Sequence, residues 1–523
     1  MTTKIEATIG IGEERGRGNE MADLSEKDEA IAMVGEQEHE LDPVVVARTV
    51  RKIDLCLLPV MMFGFGLCYY DKAILGSAAL FGMTTDLQLT VVIDRSVNPP
   101  VVDTTRLSWA TSIFYFGMLV GLYPLTFALQ RFNMGRLLGA IVIIWSAICM
   151  ATAGVSTHQG LYVQRFFLGF FEGIVPTSFM CIISSYYTQE EQALRQSFWF
   201  SATCLFNIIG GGLNYGFSRI PGGSGGGLRS WQYIYLLAGV LTIAFGLVCF
   251  ATPNSPVTAW FLSDDEKFAA VERLRRNQGG VRCTKIKMSQ IKESILRDPK
   301  TYLVFIIITA AYTINGAITG FGPLIVTTFN YTPLEAILLQ FPLGGLGFTA
   351  MLVTGYLGTR YSNIRLIMVV LSCLPVIAGC VMIWKSEWSF HAATPVVGYT
   401  ITGFWTVVVT LTIATGMSNV AGHTKKSFMS ATIFVAYCVG NIVGPLMVRS
   451  QSRDEHYPEL WLGLIICFII CIVVAVLLYL VLVGANKQKK RALLASGFDE
   501  TERAKLAFQD LTDMENPYFR YVL

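Results

Sequence analysis

From Ile53 onward the chain is built of about twelve apolar segments, each about twenty residues or longer. No other feature restricts its fold so severely. At about 1.5 Å of rise per residue, a helix of that length crosses ~30 Å of hydrocarbon. The segments run over approximately 53–81, 106–129, 136–156, 161–187, 197–218, 231–252, 302–329, 337–358, 364–384, 393–416, 427–448 and 460–484. Composition gives the same reading: 53% of the 523 residues are hydrophobic and 15% are charged, whereas soluble domains are about 25% charged. The expected fold class is therefore all-α integral membrane, with 12 transmembrane helices in two six-helix pseudo-repeat halves.

The polar stretches divide the chain. Residues 1–50 read as a disordered, acid-rich N-terminal tail. Residues 51–252 form one six-helix half, 253–300 a central loop, 301–485 the second half and 486–523 a polar C-terminal tail. Lys and Arg concentrate in the stretches that share a side with both termini, among them Arg48, Arg51 and Lys52, the central loop, Lys425 and Lys426, and the run Lys487 to Arg491. Both termini are accordingly expected in the cytoplasm, with the plasma membrane as the site. The sequon Asn330-Tyr331-Thr332 falls outside by this topology, although Pro333 and the nearby membrane disfavour its glycosylation.

Two short matches relate the halves. Arg131-Phe132-Asn133-Met134-Gly135-Arg136-Leu137 follows the second segment, and Arg360-Tyr361-Ser362-Asn363-Ile364-Arg365-Leu366 follows the eighth. Asn207-Ile208-Ile209-Gly210 in the fifth segment matches Asn441-Ile442-Val443-Gly444 in the eleventh. Chance is the competing explanation in so restricted an alphabet. With the long central loop between them, the matches favour a duplicated transporter whose site lies between its halves near mid-membrane.

Charge within the spans marks where chemistry can lie, because a charge at helix centre costs at least ~2.5–3.5 kcal/mol on insertion scales. Asp71-Lys72 lies about two-thirds of the way along the first segment. Adjacent helical residues point about 100° apart, so Lys72 is assigned to the cavity and Asp71 to its support; the competing reading is a structural ion pair. Arg165 and Glu172 lie seven residues apart on the fourth segment, on one face and about 10.5 Å apart along the axis. That spacing suits neighbouring places for an anion and a proton, with Glu172 as the group that loads and releases the proton. A salt bridge for Glu172 and snorkelling of Arg165 to the surface are the alternatives. Tyr312 and Asn315 are the best ligand candidates among the uncharged polar residues. Asn207, Gln340 and Asn441 fit interhelical hydrogen bonds at least as well.

Gly169-x-x-x-Gly173 and Gly440-x-x-x-Gly444 fit close helix crossings, with gating as the functional alternative. The glycine run over 222–227 is followed by no Lys-Ser/Thr and is no phosphate loop. The net charge of +3 leaves no excess for nucleic acid. The twelve cysteines form neither a C-x-x-C pair nor a Cys/His cluster at zinc spacing. No catalytic signature occurs in a suitable context, so neither an enzyme nor a metal or cofactor is expected. The expected partners are a small-molecule substrate, protons and the lipid bilayer, with the chain working as a monomer.

Several ordered motifs resemble one family. They are Tyr70-Asp71-Lys72-Ala73; Arg165-Phe166-x-Leu168-Gly169-x-x-Glu172-Gly173-x-x-Pro176; Asp298-Pro299-Lys300; Asn419 to Lys426; and Asp510-Leu511-Thr512-Asp513-x-Glu515-Asn516-Pro517-x-Phe519-Arg520-Tyr521. Together they resemble the major facilitator superfamily, and within it the fungal allantoate-permease-like branch of the anion:cation symporters. The resemblance covers nearly all of 51–523. It implies proton-driven uptake of small organic anions such as vitamins and ureides, with Lys72 and Arg165 on the carboxylate and Glu172 on the proton. Arg131, Arg136, Arg360, Arg365, Asn207, Asn441 and Gly444 are expected in packing and gating. The chain departs from the family at Gln130-Arg131, at Trp231-Gln232-Tyr233 and at Ala238, which leaves substrate class and outer gating open. An exporter of a toxin or secondary metabolite on the same fold is the rival function.

Overall fold

The computed structural model describes residues 41–89, 91–94, 101–103, 105–218, 227–274, 286–327, 329, 331–361, 363–388, 392–448, 456–496, 506 and 509–523. Asn330, most of the expected N-terminal tail and nearly all of the glycine run lie outside them.

Among the described residues, twelve long helices carry the fold. In the first half they are α1 Pro43–Ala78, α2 Thr105–Arg131, α3 Met134–Ala151, α4 His158–Tyr186, α5 Gln189–Ser218 and α6 Ser230–Cys249. In the second they are α7 Pro299–Thr327, α8 Gln340–Arg360, α9 Arg365–Lys385, α10 Ala393–Ser418, α11 His423–Leu446 and α12 Pro458–Ser496. Among the described residues, eleven helices are long and apolar enough to cross a membrane. The remaining one, α5, is 30 residues long and carries Gln192, Gln196, Asn207 and Asn214, which lower its apolarity. It packs between the halves against α8 and α10, and α2 packs against α11. Large apolar side chains such as Leu55, Val163, Leu247, Leu371 and Leu480 point outward. So extensive an exposed apolar surface has hydrocarbon as its fitting solvent.

Local chemistry places the helix ends. Asp42 accepts from the Val44 amide at 2.9 Å, with Pro43 as the first residue of α1. Asn133 and Thr157 accept from the Arg136 and Gly160 amides, each at 3.1 Å, at the starts of α3 and α4. Such caps satisfy amides that have no partner within the helix. Helix α4 is interrupted at Gly173, immediately after Glu172. Between α1 and α2 a short antiparallel hairpin pairs β1 Val91–Asp94 with β2 Val101–Asp103. The all-helical expectation did not include it; its β-branched Val91, Val92, Ile93, Val101 and Val102 suit a strand pair. The side of the bundle bearing it is called the hairpin face, and the opposite side the linker face.

Close crossings follow the glycines. A Cβ on Gly169 would stand 1.9 Å from the Phe114 carbonyl oxygen, and one on Gly444 2.3 Å from that of Thr313. The backbones of α2 and α4, and of α7 and α11, therefore approach more closely than any larger residue permits.

The central loop divides between the halves. Its helix Asp264–Leu274 docks on the first half, through Lys52–Glu266 at 2.7 Å and Arg273–Glu191 at 2.9 Å. Its helix Met288–Leu296 docks on the second, through Glu293–Lys425 at 2.7 Å. Helix α12 continues to Ser496, well beyond its apolar run, and residues 509–523 fold back onto the linker face. A helix keeps its backbone hydrogen bonds after leaving hydrocarbon, so apolarity marks the membrane edge and leaves the helix end unmarked.

Candidate functional site

Lys72 and Glu172 meet directly: the ammonium donates to Glu172 Oε1 and, at 2.7 Å, to the Cys68 carbonyl. Glu172 is buried to 1% side-chain exposure whereas Lys72 retains 14%, so the lysine is the member a ligand can reach. Its ammonium also lies 5.2 Å from the centre of the Phe114 ring.

The pair lines a cavity of about 850 Å³ between the halves, at the middle of their helices. One side is formed by Cys68, Tyr69, Lys72, Tyr115, Glu172 and Asn207 of the first half. Among the described residues, the facing side has no charged residue, and Tyr312, Trp405, Phe434 and Tyr437 stand there beside Asn315, Thr406 and aliphatic residues. Tyr312 and Tyr437 meet edge to face at 4.6 Å, Tyr312 lies 5.7 Å from Trp405, and Tyr437 lies 5.6 Å from Tyr115. A cavity with one charged corner and an apolar opposite wall suits a ligand with one ionic group on a larger uncharged body.

Arg165 belongs to a second cavity. It and Lys72, with Leu107, Thr111 and Gly316, line about 510 Å³ on the hairpin side of the ion pair. Arg165 is 2% exposed, which removes the snorkelling alternative. Its guanidinium donates to the Tyr235 hydroxyl at 2.8 Å, and its Nε has no partner. Glu172 lines the first cavity and Arg165 the second, while Lys72 borders both.

Asp71 differs from its expected place as the support of Lys72. Its carboxylate accepts from Trp145 Nε1 at 2.9 Å and Cys149 Sγ at 3.5 Å, both on α3. The angular offset between adjacent helical residues turns the two charges to different neighbours.

Among the uncharged candidates, Tyr312, Asn315 and Asn207 line the central cavity. Asn315 Nδ2 donates to Asn441 Oδ1 at 2.8 Å, and Asn441 Nδ2 to the Tyr437 carbonyl at 2.8 Å. Asn441 thus positions the aromatic wall. Asn207 reaches across the halves to the Gln340 carbonyl at 3.5 Å. Tyr115, Trp405 and Tyr437 were missed at the level of sequence, because an aromatic residue in a span carries the same signal whether it faces a cavity, a neighbour or lipid.

The halves also meet at the linker face. Arg365 is fully buried and donates to Ser418 Oγ at 3.0 Å and to the Glu190 carbonyl at 3.2 Å; Ser418 Oγ donates to Gln192 Oε1 at 2.8 Å. These bonds join α9 and α10 to the start of α5. Arg131, Arg136 and Arg360, expected in gating with Arg365, are exposed.

A model described as the Major Facilitator Superfamily matches residues 61–445. The chain belongs to this superfamily. It is 33% identical over 476 residues to an uncharacterised transporter of Schizosaccharomyces pombe, covering 91% of this chain and 87% of that protein. It is 30% identical to the thiamine pathway transporter THI73 of Saccharomyces cerevisiae, over 92% of this chain and 87% of that one. The allantoate permease of the same yeast is 29% identical, over 96% and 91% of the two chains. The solved structure of the proton:xylose symporter XylE aligns with a TM-score of 0.63 at 12% identity, over 83% of this chain and 96% of that one. At that identity the likeness shows the fold alone. Membership makes this a multi-pass membrane transporter, of a superfamily whose members take small molecules within the membrane.

Proposed function

We propose that the chain is a proton-coupled importer of a small organic anion, with Lys72 and Arg165 holding the carboxylate and Glu172 carrying the proton. The observation that carries this reading is the Lys72–Glu172 pair, with Lys72 bordering both cavities and Arg165 beside it on the hairpin side. A substrate carboxylate entering from the hairpin side meets two cations. To pair with it, Lys72 must release Glu172. An unpaired carboxylate in so buried a place costs several kcal/mol, and uptake of one proton by Glu172 removes that cost. Substrate and proton therefore load together, one carboxylate replacing another on the same ammonium. Rocking of the halves then exposes the central cavity to the linker face. In this scheme the linker face is cytoplasmic, the membrane is the plasma membrane, and one chain suffices.

The aromatic wall supports a monoanion with a ring-bearing or otherwise apolar body over a small, uniformly hydrophilic one. The test is an untargeted comparison of metabolites in cells and medium with the chain expressed or deleted. Import predicts that an organic anion leaves the medium and accumulates in expressing cells, more strongly at acid external pH. Build-up of a metabolite inside the deletion strain, and its release by the expressing one, would overturn import in favour of export.

A further inference from the structure

The motif-bearing segment over 510–523 takes no part in the cavity, and its contacts point to another task. Asp513 is completely buried. Its carboxylate pairs with Lys300 at the start of α7, with Lys425 at 2.8 Å near the start of α11, and with the Tyr521 hydroxyl at 2.8 Å. Lys489 on the extension of α12 donates to the Asp513 and Asn516 carbonyls. Asn486 forms a two-bond clamp with Tyr521, its Nδ2 on the carbonyl at 2.8 Å and its Oδ1 on the amide at 2.9 Å. Among the described residues, this segment bonds to the second half and to the central loop.

The end of the segment reaches the latch, the contact of Arg365 and Ser418 with the start of α5. Val522 makes a second two-bond clamp with Asn419, at 2.8 and 2.7 Å, next to Ser418. The Leu523 carbonyl accepts from the Arg365 amide at 3.2 Å, and the Leu523 amide donates to Asn363 at 3.4 Å. Arg365 and Ser418 are the residues whose side chains bond to Glu190 and Gln192 of the first half.

We propose that residues 510–523 form a strap that holds Arg365 and Ser418 in register with α5, so that a segment remote from the cavity sets how firmly the linker face closes. The anchored end, around Asp513, is fixed by ion pairs; the working end, Val522 and Leu523, positions the backbone from which the latch side chains project. The strap acts on the first half through the latch.

Hydrogen exchange read by mass spectrometry on the purified full chain in detergent tests this. Deleting Val522 and Leu523 is expected to speed exchange of the amides over 190–196 about five-fold, the change in opening that loss of one ordinary hydrogen bond produces. Those amides lie in the first half, at the start of α5. Arg365→Ala is expected to produce at least that acceleration alone, and the deletion to add nothing to it. Unchanged exchange over 190–196, with faster exchange only around 415–425 and 486–496, would reduce the strap to a local support and overturn the proposal. So would additive acceleration in the combined variant. If the deleted chain fails to fold, Asn419→Ala removes the Val522 clamp alone and carries the same expectations.

Discussion

The two halves share a topology and place their buried charges at opposite depths. In the first, Lys72, Glu172, Arg165 and Asp71 are enclosed at mid-membrane. In the second, the middle is aromatic and uncharged at the cavity, and buried charge collects at the linker face as Lys300, Lys425, Asp298 and Asp513. The repeated motifs diverge likewise. Arg136 is exposed at the start of α3, while its counterpart Arg365 is buried in the latch; Asn207 faces the cavity, while Asn441 is bonded to Asn315 and Tyr437. The two related halves thus share a frame and differ in filling: one encloses ionisable groups at its middle, while the other presents an uncharged wall there.

The largest expected effect breaks the comparison on its ionic side. Glu172→Gln is expected to abolish accumulation driven by an imposed pH gradient in proteoliposomes, while counterflow exchange of the same substrate continues. Accumulation at the original level would remove Glu172 from proton coupling. Next, Lys72→Ala leaves the Glu172 carboxylate buried without its cation, and is expected to cost about 3–5 kcal/mol of stability. Combining it with Glu172→Gln should restore much of the thermal midpoint and none of the transport. A double variant as unstable as the single one would show that the pair is not the source of the loss.

A smaller effect sharpens the contrast between the repeated arginines. Arg365→Ala removes two charge-assisted bonds and is expected to destabilise by about 2–3 kcal/mol, whereas Arg136→Ala at an exposed position should stay within about 0.5 kcal/mol. Equal shifts in thermal unfolding would mean that burial does not distinguish them.

The smallest effect lies in the second half's ionic cluster. Burial alone would raise the Asp513 carboxyl, but the ammonium groups of Lys300 and Lys425 outweigh it and hold its pKa at about 2. A carboxyl depressed in the folded state contributes stability above its unfolded value, near 4, and loses it as pH falls toward 2. Protection of the amides over 510–523, corrected for the intrinsic exchange rate at each pH, should therefore fall between about pH 4 and pH 2, and Asp513→Asn should flatten that dependence. An unaltered profile in the variant would assign the acid response to another group.

The fold was almost fully legible in the sequence, because hydrocarbon excludes unsatisfied backbone groups and forces long apolar runs into helices. Eleven of the expected spans could be read from apolarity alone with only end corrections, and the polar α5 was found by the same reading although its glycines and amides weaken the signal. The charged candidates were legible for the same reason: a charge in that setting is costly enough to need a purpose. Which charges meet was not legible. Lys72 and Glu172 are 100 residues apart, and the chain gives no sign that Asp71 turns to Trp145 instead.

By itself, then, the sequence determined that this is a twelve-helix membrane protein in two related halves, and which few ionisable groups lie within it. The tertiary structure decided that Lys72 stands between two cavities, that Arg165 serves only one of them, that the facing wall is aromatic, and that Arg365 rather than Arg136 closes the linker face. The physical reason is range. Apolarity and charge cost act on each residue through its solvent and can be read locally, whereas ion pairing, cavity shape and latch contacts arise only when distant helices are packed against one another.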